Sequence, residues 1–175
     1  MMYGWQQNPL PTIQNNLVAW LTVSGNLTQK LAQLNQYRFC KISQNYTTLP
    51  TEENQYLQQT QQQGLVRNVI HYAENNALVL ARTVISDNLY HAFQNDFDTL
   101  ENKPIGQTLL YHRHDLIRSN FEFGQVTVGI ITDDFAKDVL LPDKIDARRS
   151  LFGVNDSTLM ITELFLPDIN HYELP

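Results

Sequence analysis

A chain of 175 residues is long enough for one ordinary domain and too short for two full cores. At this length it should bury roughly 70% of the surface its unfolded form exposes, so it needs neither disulfides nor a structural metal. The only cysteine, Cys40, excludes an internal disulfide and with it a stapled secreted scaffold, and a net charge of -6 argues against a sequence-independent grip on nucleic acid or an anionic membrane. No run approaches the ~18 apolar residues of a spanning helix, and residues 1–10 have neither a basic nor an apolar leader region. The expectation is a soluble, unexported, cytoplasmic protein.

Pro9 and Pro11 keep the start extended, after which Ile13, Leu17, Trp20 and Leu21 recur at helical spacing and predict a short helix ending near Ser24-Gly25. Asn26 or Thr28 caps a second helix carrying Leu27, Leu31 and Leu34, and 37–46 reads as a strand. Residues 47–63, with their short Gln run, read as surface loop or helix. Strands over 65–72 and 77–85 form a hairpin across Glu74-Asn75-Asn76, where Asn tolerates the left-handed backbone a tight turn requires. Helical spacing covers 87–100, and Pro104 opens another helix through Tyr111. Residues 115–131 are β-rich with Gly124 and Gly129 as expected bulges, and strands over 145–152 and 158–166 flank the turn 153–156. The sum is α+β: about six strands in an antiparallel sheet with inserted helices, in one domain over 1–175 with no repeat and no linker.

Three sets of residues stand out chemically. Glu163 shares strand parity with Leu159, Ile161 and Phe165, where a carboxylate is costly unless a cation or a ligand donor meets it. Arg67 alternates with Leu65 and Val69, and Arg82 with Leu78, Leu80 and Val84, so either guanidinium could grip a carboxylate ligand or neutralise Glu163. His112, His114 and Asp115 are the densest group of metal-ligand types, but Arg113 and Arg118 beside them repel a cation and no further ligand pattern follows, so no metal is expected. Arg148-Arg149 is a weak signal for an anion. No phosphate loop, GxSxG elbow or HExxH is present.

Taken in order, Ala81-Arg82-Thr83-Val84, Lys103-Pro104-Ile105-Gly106, Arg148-Arg149-Ser150 and Thr162-Glu163-Leu164-Phe165-Leu166-Pro167 resemble the chorismate pyruvate-lyase family of ubiquinone biosynthesis. Trp20-Leu21 followed by Asn26-Leu27-Thr28 fits the family's first helices, and Arg118 through Glu122 to Gly124 its long central strand, so the resemblance runs along nearly the whole chain. It implies a six-stranded antiparallel sheet whose helices form flaps over a buried aromatic-acid site, a monomer, and elimination of pyruvate from chorismate to leave 4-hydroxybenzoate without a cofactor.

Carried over by position, the resemblance puts carboxylate binding on Arg67, the contact to the ring hydroxyl on Glu163, and pocket contacts that include backbone on Leu27 and Ile105. Arg82, Arg148 or Arg149 is then a candidate for the enolpyruvyl carboxylate. The family's relatives carry Met at the place of Leu27 and Leu at that of Ile105, and both changes conserve apolar bulk. A second reading is a non-catalytic effector-binding domain of related fold, as in some transcription regulators; the acidic chain offers no basic recognition helix to go with it.

Overall fold

Period-two alternation of apolar residues becomes six strands, which the computed structural model describes together with the rest of the chain except residues 1–3, 12, 14, 109, 111–116, 128, 130–134, 136, 138 and 155. The elements in chain order are α1 (Asn15–Thr22), α2 (Leu27–Leu31), β1 (Arg38–Thr48), α3 (Thr51–Tyr56), β2 (Gln63–Ala73), β3 (Asn76–Ser86), α4 (Asp87–Ala92), α5 (Gln94–Asp98), α6 (Ile105–Thr108), β4 (Glu122–Thr127), β5 (Lys144–Val154) and β6 (Ser157–Phe165), followed by a 3-10 turn over Pro167–His171. Every strand pair is antiparallel and the order across the sheet is β1-β2-β3-β6-β5-β4. The last strand therefore sits in the middle. The helices α4 to α6 lie in the excursion between β3 and β4 that leaves this place open.

Several local expectations are corrected by the backbone. In the β2–β3 hairpin it is Glu74, not an Asn, that takes the positive φ of 54°, in a two-residue loop between paired Ala73 and Asn76. Of residues 115–131 only β4 is regular strand among the described residues, and Gly124 is no bulge: it pairs in register with Ala147. The β5–β6 turn relies on Gly153, whose φ of 103° and close approach to the Ser157 carbonyl leave no room for a Cβ. Asn26 rather than Thr28 caps α2, its side chain accepting from the Gln29 N–H at 3.1 Å.

Both faces of the sheet are covered, which is why β2, β3 and β6 read as almost continuous apolar runs. One face, called here the site face, carries two separate apolar clusters. Leu17, Trp20, Leu21, Leu27 and Leu31 of α1 and α2 pack on Val79 and Phe165, while Leu89, Tyr90, Phe97 and Ile105 of α4 to α6 pack on Leu65, Ile85 and Leu159. The back face is filled by Ile70, Leu80, Val126 and Leu164, and by Leu57, Val66, Val84 and Met160. The gap between the two site-face clusters is where the chemistry collects. Among the described residues no helix is long and apolar enough to cross a membrane.

Candidate active site

Register fixes the floor of this gap. Gln44, Arg67, Thr83, Ile161 and Ser150 form one row across β1, β2, β3, β6 and β5, and the next row holds Lys41, Val69, Ala81, Glu163 and Arg148. Small Ala81 between Val69 and Glu163 leaves depth above the sheet. The result is a partly open cavity floored by Arg67, Val69, His71, Ala81, Thr83, Ile161 and Glu163. Its walls are Asn26, Leu27 and Thr28 at the start of α2, and Pro104, Ile105 and Gly106 at the start of α6, with Phe152 and Arg118 closing a side. Leu27 and Ile105, both buried, thus stand on walls formed by different helices.

Arg67 is 1% exposed and has no carboxylate partner among the described residues. Its guanidinium is oriented by three neutral acceptors: Nη1 donates to Gln44 Oε1 at 2.5 Å, and Nη2 donates to the carbonyls of Glu101 and Lys103, each at 2.8 Å. Nε, also buried, has no partner. These bonds fix direction without neutralising charge, so desolvation pushes the arginine's pKa down to about 10 and it still carries a full positive charge at neutral pH. A buried, oriented, uncompensated cation at the edge of an apolar cavity is an anion site, and its planar fork suits a carboxylate.

Glu163 meets the cavity differently. Its Oε2 accepts from Arg148 Nε at 2.5 Å, with Arg148 directly opposite in register on β5 and fully buried. Arg148 Nη1 also donates to the Leu21 and Val23 carbonyls, at 3.0 and 2.8 Å, and its guanidinium lies 4.1 Å over the Phe121 ring. The alternative of a neighbouring-strand arginine against Glu163 therefore holds, with Arg148 in that place rather than Arg67 or Arg82. Glu163 is still a cavity residue: its Oε1 accepts from no donor among the described residues.

Arg82 does not join the site, which corrects its expected place beside the ligand. It lies on the back face, where Nε and Nη2 donate to Glu53 Oε1 and Oε2 at 2.7 and 2.9 Å in a pair that is almost wholly buried. The cause is a single extra residue. A regular hairpin closed by Ala73 and Asn76 would set Arg67 opposite Arg82, but the register shifts beyond Tyr72–Ala77, where Leu78 is left unpaired, so Arg67 pairs with Thr83 and Arg82 turns to the other face. Arg149 is on that face too, donating to Glu122 Oε2 at 2.7 Å and stacked on Tyr56 and Trp5. His112, Arg113, His114 and Asp115 lie outside the described residues. Among the described residues no three His, Cys, Asp or Glu side chains converge on a metal position.

Two cavity residues escape sequence reasoning. His71 shares the parity of Arg67 and Val69, and that signal alone could have marked it. It is 4% exposed, its Nδ1 is 2.9 Å from the Tyr37 hydroxyl, and Phe39 packs edge-on against its ring. Burial pushes its pKa down to about 4 although the Glu163 carboxylate pulls the other way, so the imidazole is neutral at pH 7. Arg118 reaches the cavity from an isolated bridge to Phe152, bonded to Ser150 Oγ and the Gly25 carbonyl, both at 3.2 Å; periodicity gives no hint of this.

Comparison with known proteins follows the same outline. A family model described as chorismate lyase matches residues 3–173. A protein of Pseudomonas fluorescens named probable chorismate pyruvate-lyase 1 is 27% identical over 168 residues, covering 93% of this chain and 89% of its own. One of Pseudoalteromonas atlantica, named probable chorismate pyruvate-lyase, is 30% identical over 178 residues, covering 96% and 88%. Among solved structures, the PhnF C-terminal domain superposes with a TM-score of 0.60 at 11% identity, covering 80% of this chain and 87% of that one. The ligand-binding domain assigned to a GntR-family transcriptional regulator of Bordetella bronchiseptica gives 0.57 at 9%, covering 96% and 94%. At such identities these two share the fold alone.

Proposed function

We infer, from the premise that the chain belongs to the chorismate lyase family, that it is a chorismate pyruvate-lyase, releasing 4-hydroxybenzoate for ubiquinone synthesis. It acts as a cytoplasmic monomer and uses no cofactor. The observation that carries this reading is Arg67: a buried guanidinium that the fold orients but leaves without a counter-ion among the described residues, facing the same cavity as Glu163. The two Cα atoms lie roughly 12 Å apart by sheet spacing, with long side chains at both ends, which leaves room for a ring held at its two poles.

The reaction asks for little covalent help from a protein. The ring carbon bearing the hydroxyl loses its proton, the neighbouring C–O bond to the enolpyruvyl group breaks, and the ring becomes aromatic; the released enolpyruvate takes up a proton and becomes pyruvate. Arg67 fixes the ring carboxylate and Glu163 Oε1 accepts from the ring hydroxyl, while Leu27, Ile105, Val69 and Phe152 exclude water around them. The product keeps both polar groups and therefore both contacts, so its release is slow.

The test is incubation of purified protein with chorismate in the presence of a chelator, following both products. Equal amounts of 4-hydroxybenzoate and pyruvate are expected. Pyruvate without 4-hydroxybenzoate would point to a different ring product, and tight binding of an aromatic acid without turnover would favour a non-catalytic effector-binding domain, the reading to which the shared fold lends support.

A further inference from the structure

The cavity holds a polar group that this reading has not used. His71 sits four residues beyond Arg67 on the same face of β2, roughly 13 Å along the strand, at the end of the cavity opposite the anion site. Its Nδ1 is engaged by Tyr37, and its Nε2 has no partner among the described residues although the ring is 96% enclosed. The Tyr37 hydroxyl is half-buried, and burial raises its pKa, so it stays a phenol whose O–H can donate to Nδ1 at 2.9 Å. With Nδ1 accepting, the proton of the neutral imidazole resides on Nε2. The neighbouring Glu163 carboxylate favours that same arrangement, since its field attracts a positive N–H end.

We propose that His71 is a specificity-determining residue, whose Nε2–H donates to the ring hydroxyl of a 4-hydroxy aromatic acid while Glu163 Oε1 accepts from that hydroxyl. A hydroxyl is one donor and two acceptor sites, so a carboxylate alone satisfies only half of it, and His71 supplies the complement. The pair recognises a hydroxyl as against a hydrogen: a ligand lacking it leaves both Nε2–H and Oε1 without partners in an enclosed site. Arg67 holds the carboxylate end in either case. The inference rests on the proposed reading of the cavity as an aromatic-acid site.

The experiment measures dissociation constants of 4-hydroxybenzoate and benzoate for the wild type, His71→Leu, His71→Asn and His71→Gln by calorimetry. Leu removes both ring nitrogens, Asn keeps only a partner for Tyr37, and Gln places an amide N–H near the position of Nε2. The wild type should prefer 4-hydroxybenzoate, and Leu and Asn should each lose about tenfold of that preference with benzoate binding unchanged. Gln should keep most of it. Equal weakening of both ligands in the Leu and Asn variants, or an undiminished preference, overturns the role of His71. Should the wild type bind neither acid, it is the aromatic-acid reading itself that fails. His71→Asn retains the Tyr37 contact, so it decides the question even where His71→Leu does not fold.

Discussion

Two arginines on adjacent strands have had opposite fates. Arg82, on the back face, is locked by both oxygens of Glu53 and further touched by Asn68, so its charge is cancelled where it lies. Arg67, on the site face, is as deeply buried but is held only by an amide oxygen and two backbone carbonyls. A cation paired with a carboxylate is a fixture of the fold. One held by neutral acceptors keeps its charge for an anion, and that retained charge costs desolvation in the folded protein.

Removing a partner tests this difference most severely on the back face. Glu53→Ala strands Arg82 in the interior and should cost about 3–5 kcal/mol of stability by urea unfolding, with turnover per folded molecule near normal. Arg67→Ala should do the reverse, leaving stability within about 1 kcal/mol of wild type or improving it, while 4-hydroxybenzoate binding weakens by ~2–5 kcal/mol. Arg67→Lys should recover only part of the binding, because a point charge does not reproduce the fork. Normal binding by a folded Arg67→Ala would falsify the anion-site assignment.

A third perturbation uses acid. An unfolded His71 takes up its proton near pH 6.5, the folded one only near pH 4. Between these values the unfolded state binds more protons, so stability falls as pH is lowered and regains its full value above about 6.5. The gap amounts to about 3 kcal/mol. Tyr37 stays neutral throughout, and Glu163, paired with Arg148, faces His71 and tempers the loss. Unfolding free energy should therefore fall further between pH 7 and pH 4 for wild type than for His71→Leu. An identical pH dependence in both proteins contradicts the assignment of that component to His71.

How much of this was legible beforehand depends on what period two can encode. Alternation within a strand places Arg67 with Leu65 and Val69, Arg82 with Leu80 and Val84, and Glu163 with Ile161, and all three groupings match the structure. It says nothing of which faces of neighbouring strands coincide. That is decided by register, and in the β2–β3 hairpin one unpaired residue, Leu78, reverses the answer. No side chain advertises such a bulge. The same blindness hid Arg148, which counts as Glu163's partner only once β5 and β6 are aligned, and because of it Glu163→Gln weakens a buried ion pair and a cavity contact together. The Leu27 and Ile105 positions were reached only through the resemblance of ordered motifs, whereas Arg67 and Glu163 stood out by parity as well, and the local chemistry of His71 lay in plain view at the parity of Arg67.

The central place of β6 governs how such a protein comes into being. Strands β1 to β3 form one locally connected meander and β4 with β5 another pair, and only the strand made last joins them. Arg67 and His71 belong to the first unit, Arg148 to the second, and Glu163 to the closing strand itself. During synthesis the cavity floor is thus incomplete until β6 has emerged, and its formation waits on the slowest, most non-local pairing in the sheet. A ligand that bridges Arg67 and Glu163 binds only the zipped form, so it should act as a clasp, raising the midpoint of unfolding and protecting the amides of β6 from solvent exchange more than those of the β1 edge.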